Sequence, residues 1–226
     1  MSINILNQTF DKIEQEIIWR EKELNNIQNI TDSIVSSEWR DENTEPEVQV
    51  KFFLKATVPI IYAHWEGFIT KVFKITFKYL NALHLNCDKY CDVYLTKAYE
   101  HQLKSLIDST DFEKKKKHIN ILYAEFKNDV RLDTTINTKS NLTFEVFEKI
   151  CRETNLQANT FRKYKDEINQ LVNTRNAIAH GENAFVFEKY EDIQKYIDLL
   201  QSLMSTVYEE IQILLKNKNY LKAPNE

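Results

Sequence analysis

Glycine and proline are nearly missing from this chain, and that restricts its possible folds more than any motif does. Two glycines and three prolines occur in 226 residues, against ordinary usage of roughly 7% and 5%. Sheet proteins need many tight turns, and tight turns draw on glycine. The chain is therefore expected to be all-α, a few long helices joined by polar connections. Hydrophobic residues make up 42%, enough for a buried core, and the length suits one domain.

Periodicity places the helices. Phe10, Ile13, Ile17, Leu24, Ile27 and Ile34 recur at helical spacing through residues 8–36, an ordinary core stripe too short to establish a coiled coil. Residues 37–47 are polar and acidic and read as a loop, with Trp39 packing back on the domain. Residues 48–83 are apolar on several faces, the pattern of a central helix. Pro59 either kinks that helix or starts a new one. Gly67 inside it costs up to about 1 kcal/mol against Ala, which suggests that another helix approaches closely there.

A shorter helix follows at 87–107. Residues 111–140 then change character, with a basic run at Lys114 to Lys117, apolar Ile119, Leu122, Tyr123 and Phe126, and a polar, Thr-rich loop from Asp129 to Ser140 that is expected to be the most flexible segment. A helix over 143–154 has Asn141 as its candidate N-cap. A further helix covers 160–180. Tyr190, Ile193, Ile197, Leu200, Met204, Val207, Ile211 and Leu214 mark a closing helix over 189–217. No internal repeat of 20–50 residues appears, so a solenoid is disfavoured. The expected architecture is an antiparallel bundle of long helices in a single domain, 1–226. Residues 84–142 form an insertion of short helices and loop, and 217–226 a frayed tail.

Charge and cysteines narrow the function. The formal charge is −4, so duplex nucleic acid is not met by a broadly basic surface. Any contact with RNA must be confined to a patch. The run Lys114, Lys115, Lys116, Lys117 is a candidate substrate-binding patch, its alternative being a solvated helix face. Three cysteines without a basic-then-apolar leader suit a cytoplasmic protein. No apolar stretch is long and unbroken enough to cross a membrane. Cys87 and Cys91 are four apart, but no second ligand pair follows, so no metal site and no cofactor are expected.

The residues that carry chemistry lie in Thr174–Gly181, which holds Arg175, Asn176 and His180. Arg is a permanent bidentate phosphate ligand, and His transfers protons near neutral pH. Asn176 and His180 are four apart and share a helical face, while Arg175 roots on a flank. Gly181 suits a left-handed cap, which puts His180 in the last turn, where the helix dipole favours positive charge. Such a set could cleave RNA. Arg175 would stabilise the phosphorane, His180 would act as acid or base, and Asn176 would hold phosphate or orient His180. A purely structural role for the same residues stays open, with Arg175 bridging to an acid and His180 capping the helix. So does binding of a small phosphate ligand, although no Gly-rich phosphate loop is present. One histidine does not obviously supply both proton transfers, and a symmetric dimer would bring a second.

Arg175-Asn176-x-x-x-His180 resembles the signature of the HEPN superfamily. Tyr62-Ala63-His64-Trp65-Glu66-Gly67 is similar to a segment of one bacterial HEPN subgroup that precedes the core motif. The resemblance implies a helical bundle, a homodimer that joins two motifs, and metal-independent endoribonuclease activity on RNA. It further implies a toxin or phage-defence role with an antitoxin or defence-system partner. Some members of the superfamily are instead non-catalytic RNA-binding or assembly modules. By its place in the resembling segment, Glu66 is the acidic residue expected to pair with Arg175 or orient His180. His64, about 200° from Glu66 around the helix, is expected to point elsewhere.

Overall fold

A computed structural model describes residues 2–35, 46–182 and 191–223. Trp39, most of the 37–47 connection and Tyr190 lie outside the described residues. Among the described residues seven α-helices carry the fold: α1 (Ser2–Val35), α2 (Pro46–Ala82), α3 (Asp92–Asp108), α4 (Phe112–Glu125), α5 (Phe144–Glu153), α6 (Lys165–Ala179) and α7 (Glu191–Lys216). A 3-10 helix (Ala158–Tyr164) leads into α6. The described residues contain no strand, only two isolated bridges, and no helix long and apolar enough to cross a membrane.

The long helices run antiparallel, as their cross-contacts show. Between α1 and α2, Arg20 meets His64 and Glu16 meets Lys71. Between α1 and α7, Glu14 meets Tyr208 and Asn25 meets Gln201. Between α2 and α6, Tyr62 meets Arg175 and Lys55 meets the Glu182 carbonyl. The closing stripe on α7 is buried along its length, from Ile193 to Leu214. At the centre, α2 buries Trp65, Phe68, Ile69, Val72, Phe73 and Leu80. Trp65 meets Phe147 edge-on at 5.0 Å, and Phe147 meets Phe161 at 4.9 Å.

Pro59 neither starts nor ends a helix: α2 passes through it. Proline has no N–H to give the Lys55 carbonyl, a loss borne here by a helix packed on three others. Gly67 makes room for a side chain of the neighbouring helix. A Cβ there would stand 3.2 Å from the Nη2 atom of Arg20.

Several boundaries differ from expectation, each for a packing reason. α1 begins at Ser2, not residue 8, because Ile5 and Leu6 pack against the core. α3 begins at Asp92, since Tyr90 before it is spent on the core, its hydroxyl donating to the Leu80 carbonyl at 2.8 Å. The N-cap of α5 is Thr143, whose hydroxyl accepts from Val146 N–H, because Asn141 is engaged elsewhere. The Asp129–Ser140 segment is a strap, not a free loop. Val130 and Leu132 are buried, and Asn81 clasps Leu132 through both its amide groups at 2.9 and 2.8 Å. Residues 217–223 of the expected frayed tail are docked. Tyr220 is 4% exposed, packed near Tyr79 and Tyr90, and Lys222 N–H donates to the Lys89 carbonyl.

Candidate active site

The motif sits on α6, which is fastened at three points. Asn169 accepts the Phe144 N–H at 3.0 Å, Thr174 and Tyr196 join hydroxyls at 3.1 Å, and Ile168, Leu171, Val172 and Ala177 are buried. The helix ends in a Schellman turn, in which Glu182 N–H donates to the Ala177 carbonyl and Gly181 N–H to the Ile178 carbonyl. Gly181 has φ +73°, the left-handed value that glycine adopts without penalty. His180 is the C-cap itself. Its side chain is exposed and takes no hydrogen bond from a described residue, so the imidazole is presented to solvent.

Arg175 is held in place. Its Nη1 donates to Asn176 Oδ1 at 2.7 Å and to Asn141 Oδ1 at 3.3 Å, and its Nη2 reaches the Ser140 carbonyl at 3.4 Å. Its guanidinium carbon lies 4.3 Å from the centre of the Tyr62 ring, within range of a cation–π attraction. Asn176 thus serves Arg175 rather than His180.

Tyr62 is the residue that sequence reasoning left without a role. It is 2% exposed, and its hydroxyl accepts the Leu142 N–H at 2.8 Å. Burial pushes the phenol's pKa up, against the Leu142 hydrogen bond; Glu66 adds to the rise and Arg175 opposes it. Its only sequence signal was membership of the Tyr62–Gly67 segment. Lys55 was also missed. It lies two turns before Tyr62 on the same α2 face, within about 40° of both Tyr62 and Glu66, and its ammonium donates to the Glu182 carbonyl at 3.3 Å.

Glu66 does not pair with Arg175. Its Oε1 accepts a short hydrogen bond from the Thr138 hydroxyl, and Tyr62 stands between the two charges. His64 faces the opposite way, toward α1. Its Nδ1 lies 3.4 Å from Arg20 Nη1, and its ring is 5.4 Å from that of Trp19. Burial and the Arg20 charge hold this imidazole below its ordinary pKa, Glu23 acting against them.

One short segment ties the site together. Thr138 binds Glu66, Ser140 and Asn141 bind Arg175, Leu142 N–H binds Tyr62, and the Leu142 carbonyl accepts from Trp65 Nε1 at 3.4 Å. Lys139 and Ser140 carry φ values of 52° and 60°, which non-glycine residues adopt only at a cost. The lysine run, Lys114 to Lys117, lies on α4, an exposed helix that among the described residues packs only on α3.

The α6 end thus holds a guanidinium fixed in direction at Arg175 and an exposed imidazole at His180 that no described residue hydrogen-bonds. No curated protein and no solved structure matches the chain. Residues 15–212 match the RiboL-PSP-HEPN family, and the chain belongs to that HEPN family.

Proposed function

We propose that the protein is a metal-independent endoribonuclease acting through a composite site in a homodimer. In this reaction the substrate 2′-hydroxyl attacks the adjacent phosphorus and gives up its proton. The bond to the 5′-oxygen breaks, that oxygen gains a proton, and a cyclic phosphate remains. Arg175, steadied on Tyr62 and by Asn176, stabilises the charge that develops on the phosphoryl oxygens. His180 transfers a proton. Glu66 supports the site through Thr138 and the strap rather than by touching Arg175.

The observation that carries this reading is an Arg175 held at its guanidinium on the same helix as an exposed His180 that no described residue hydrogen-bonds, at the capped end of α6. The dimer is supported by two features. Within one chain Arg175 turns toward α2 while His180 turns to solvent, so a single copy presents a divided set. Beside the Lys55–Tyr62–Glu66 face, α2 also exposes an apolar stripe of Val48, Phe52, Ala56, Ile60 and Ala63, with Phe52 73% exposed. A second copy covering that stripe would bring the two motifs together.

Purified protein incubated with mixed RNA in EDTA tests the reading. Wild type is expected to leave cyclic-phosphate ends, and His180→Ala to lose at least about 100-fold in rate. Equal cleavage by both would overturn it. A non-catalytic RNA-binding module is favoured by one observation, that no described residue orients the His180 imidazole. Binding without cleavage would select it. A toxin or phage-defence role, with a protein partner that restrains the activity, follows from the resemblance. It predicts growth arrest on expression of wild type but not of His180→Ala.

A further inference from the structure

Among the described residues α4 contributes no buried side chain to the fold and packs on no helix but α3. Its outward face nevertheless carries three large apolar residues: Phe112 (76% exposed), Ile119 (49%) and Tyr123 (64%); Phe126, just past its end, packs edge-on against Tyr99 of α3. At helical spacing Ile119 and Tyr123 lie within about 20° of Phe112. Lys116 lies about 40° from Phe112 on the same exposed face and Lys115 and Lys127 about 60° to either side, and the Lys127 ammonium stands 4.4 Å over the Tyr123 ring. Lys116 pairs with Glu113 at 3.7 Å with both groups exposed, a pairing that contributes little and yields readily.

We propose that this face of α4 binds single-stranded RNA, with Phe112 and Tyr123 stacking bases and Lys115, Lys116 and Lys127 meeting phosphates. The choice of occupant follows from the order of side chains. An apolar helix or a bilayer would be served by an unbroken apolar stripe, with cations only at its borders. Here the Lys116 ammonium lies between Phe112 and Ile119 along the helix axis and about 40° around from Phe112, on the same exposed face. Rings alternating with ammonium groups match a strand whose bases and phosphates alternate, and stacking tolerates any base. From Phe112 to Tyr123 the stripe runs about 16 Å, long enough for a few nucleotides. In a chain of net charge −4, four consecutive lysines supply the local positive potential that a polyanion requires. The choice of RNA as the polymer rests on the ribonuclease reading, to which this surface adds a second foothold away from Arg175.

The test is anisotropy of a fluorescein-labelled 12-nucleotide single-stranded RNA, titrated with the full chain carrying His180→Ala so that the probe stays intact. Phe112→Ala with Tyr123→Ala is expected to weaken binding at least 10-fold. Lys115→Gln with Lys116→Gln is expected to flatten the dependence of log affinity on log salt by about 1.4, or about 0.7 per phosphate contact. All four side chains are exposed, and circular dichroism checks that the variants remain folded. Unchanged affinity and salt slope would overturn the proposal. So would loss of binding to phosphatidylserine vesicles, or of self-association by light scattering, in the same variants while RNA binding persists. The ribonuclease reading fails separately, through wild type that binds this RNA by α4 without cleaving it.

Discussion

Arg175 rests on Tyr62, its guanidinium carbon 4.3 Å from the ring centre, while the hydroxyl of that ring accepts the Leu142 N–H at 2.8 Å. One side chain therefore supports the cation with its face and anchors the strap with its edge. Tyr62→Phe separates the two roles. It keeps the ring and leaves a buried N–H without a partner, at a cost of about 1–3 kcal/mol. The melting temperature should fall by about 2–4 °C for each kcal/mol. Tyr62→Leu should in addition weaken RNA binding, because the guanidinium loses its support. Equal melting temperatures for wild type and Tyr62→Phe would show that the Leu142 bond does not form.

Gly181→Ala tests the seat of His180. A Cβ at this position meets nothing within 4 Å, so any cost arises from the φ of +73°. An L-residue in that conformation costs about 1–2 kcal/mol. Asn tolerates the left-handed region better, so Gly181→Asn should lose less. The order Gly, Asn, Ala in chemical-denaturation midpoints checks the cap.

His64 predicts a pH dependence. Its pKa is lowered in the fold by burial and by Arg20, so the unfolded chain binds the proton more readily. Stability from this group is complete above the ordinary histidine value of about 6.5. It is lost as pH falls from there toward the lowered value, and flattens below it. Urea unfolding between pH 8 and 5 should show a steeper decline for wild type than for His64→Gln. Parallel curves would remove His64 from the account.

Tyr220 predicts that the C-terminal segment is structural. It is 4% exposed, with its ring 6.4 Å from those of Tyr79 and Tyr90. Tyr220→Ala should cost roughly 3–5 kcal/mol, as other buried aromatic truncations do. Thermal melts would register this easily; a surface residue would give almost no change.

Long-range periodicity explains what was legible. The Ile193–Leu214 stripe and the apolar run of α2 are regular over many turns, so helix and buried face follow together. The Schellman end at Gly181 was legible because glycine is so rare here. The strap was not, since two anchors, Val130 and Leu132, are too few to form a pattern, and their Thr and Asn neighbours read as loop. Asn141 and Thr143 are both good capping residues, and only the three-dimensional demand of Arg175 decides between them. Glu66 was expected to pair with Arg175 or orient His180, and its Oε1 accepts from Thr138; helical phase gives a direction and not the identity of what fills the space. Tyr220 and Leu221 were too few to form a pattern among the polar residues around them, and Lys55 was one lysine among many.

The strap has a consequence for synthesis. Tyr62 and Glu66 leave the ribosome first, the Thr138–Leu142 segment next, and Arg175 only afterwards. The cradle can therefore assemble before the cation it is to hold has been translated. A chain interrupted before α6 would carry an empty cradle and no motif. The proposed activity would become available only with the last third of the polypeptide, which would set a temporal order on its appearance during synthesis.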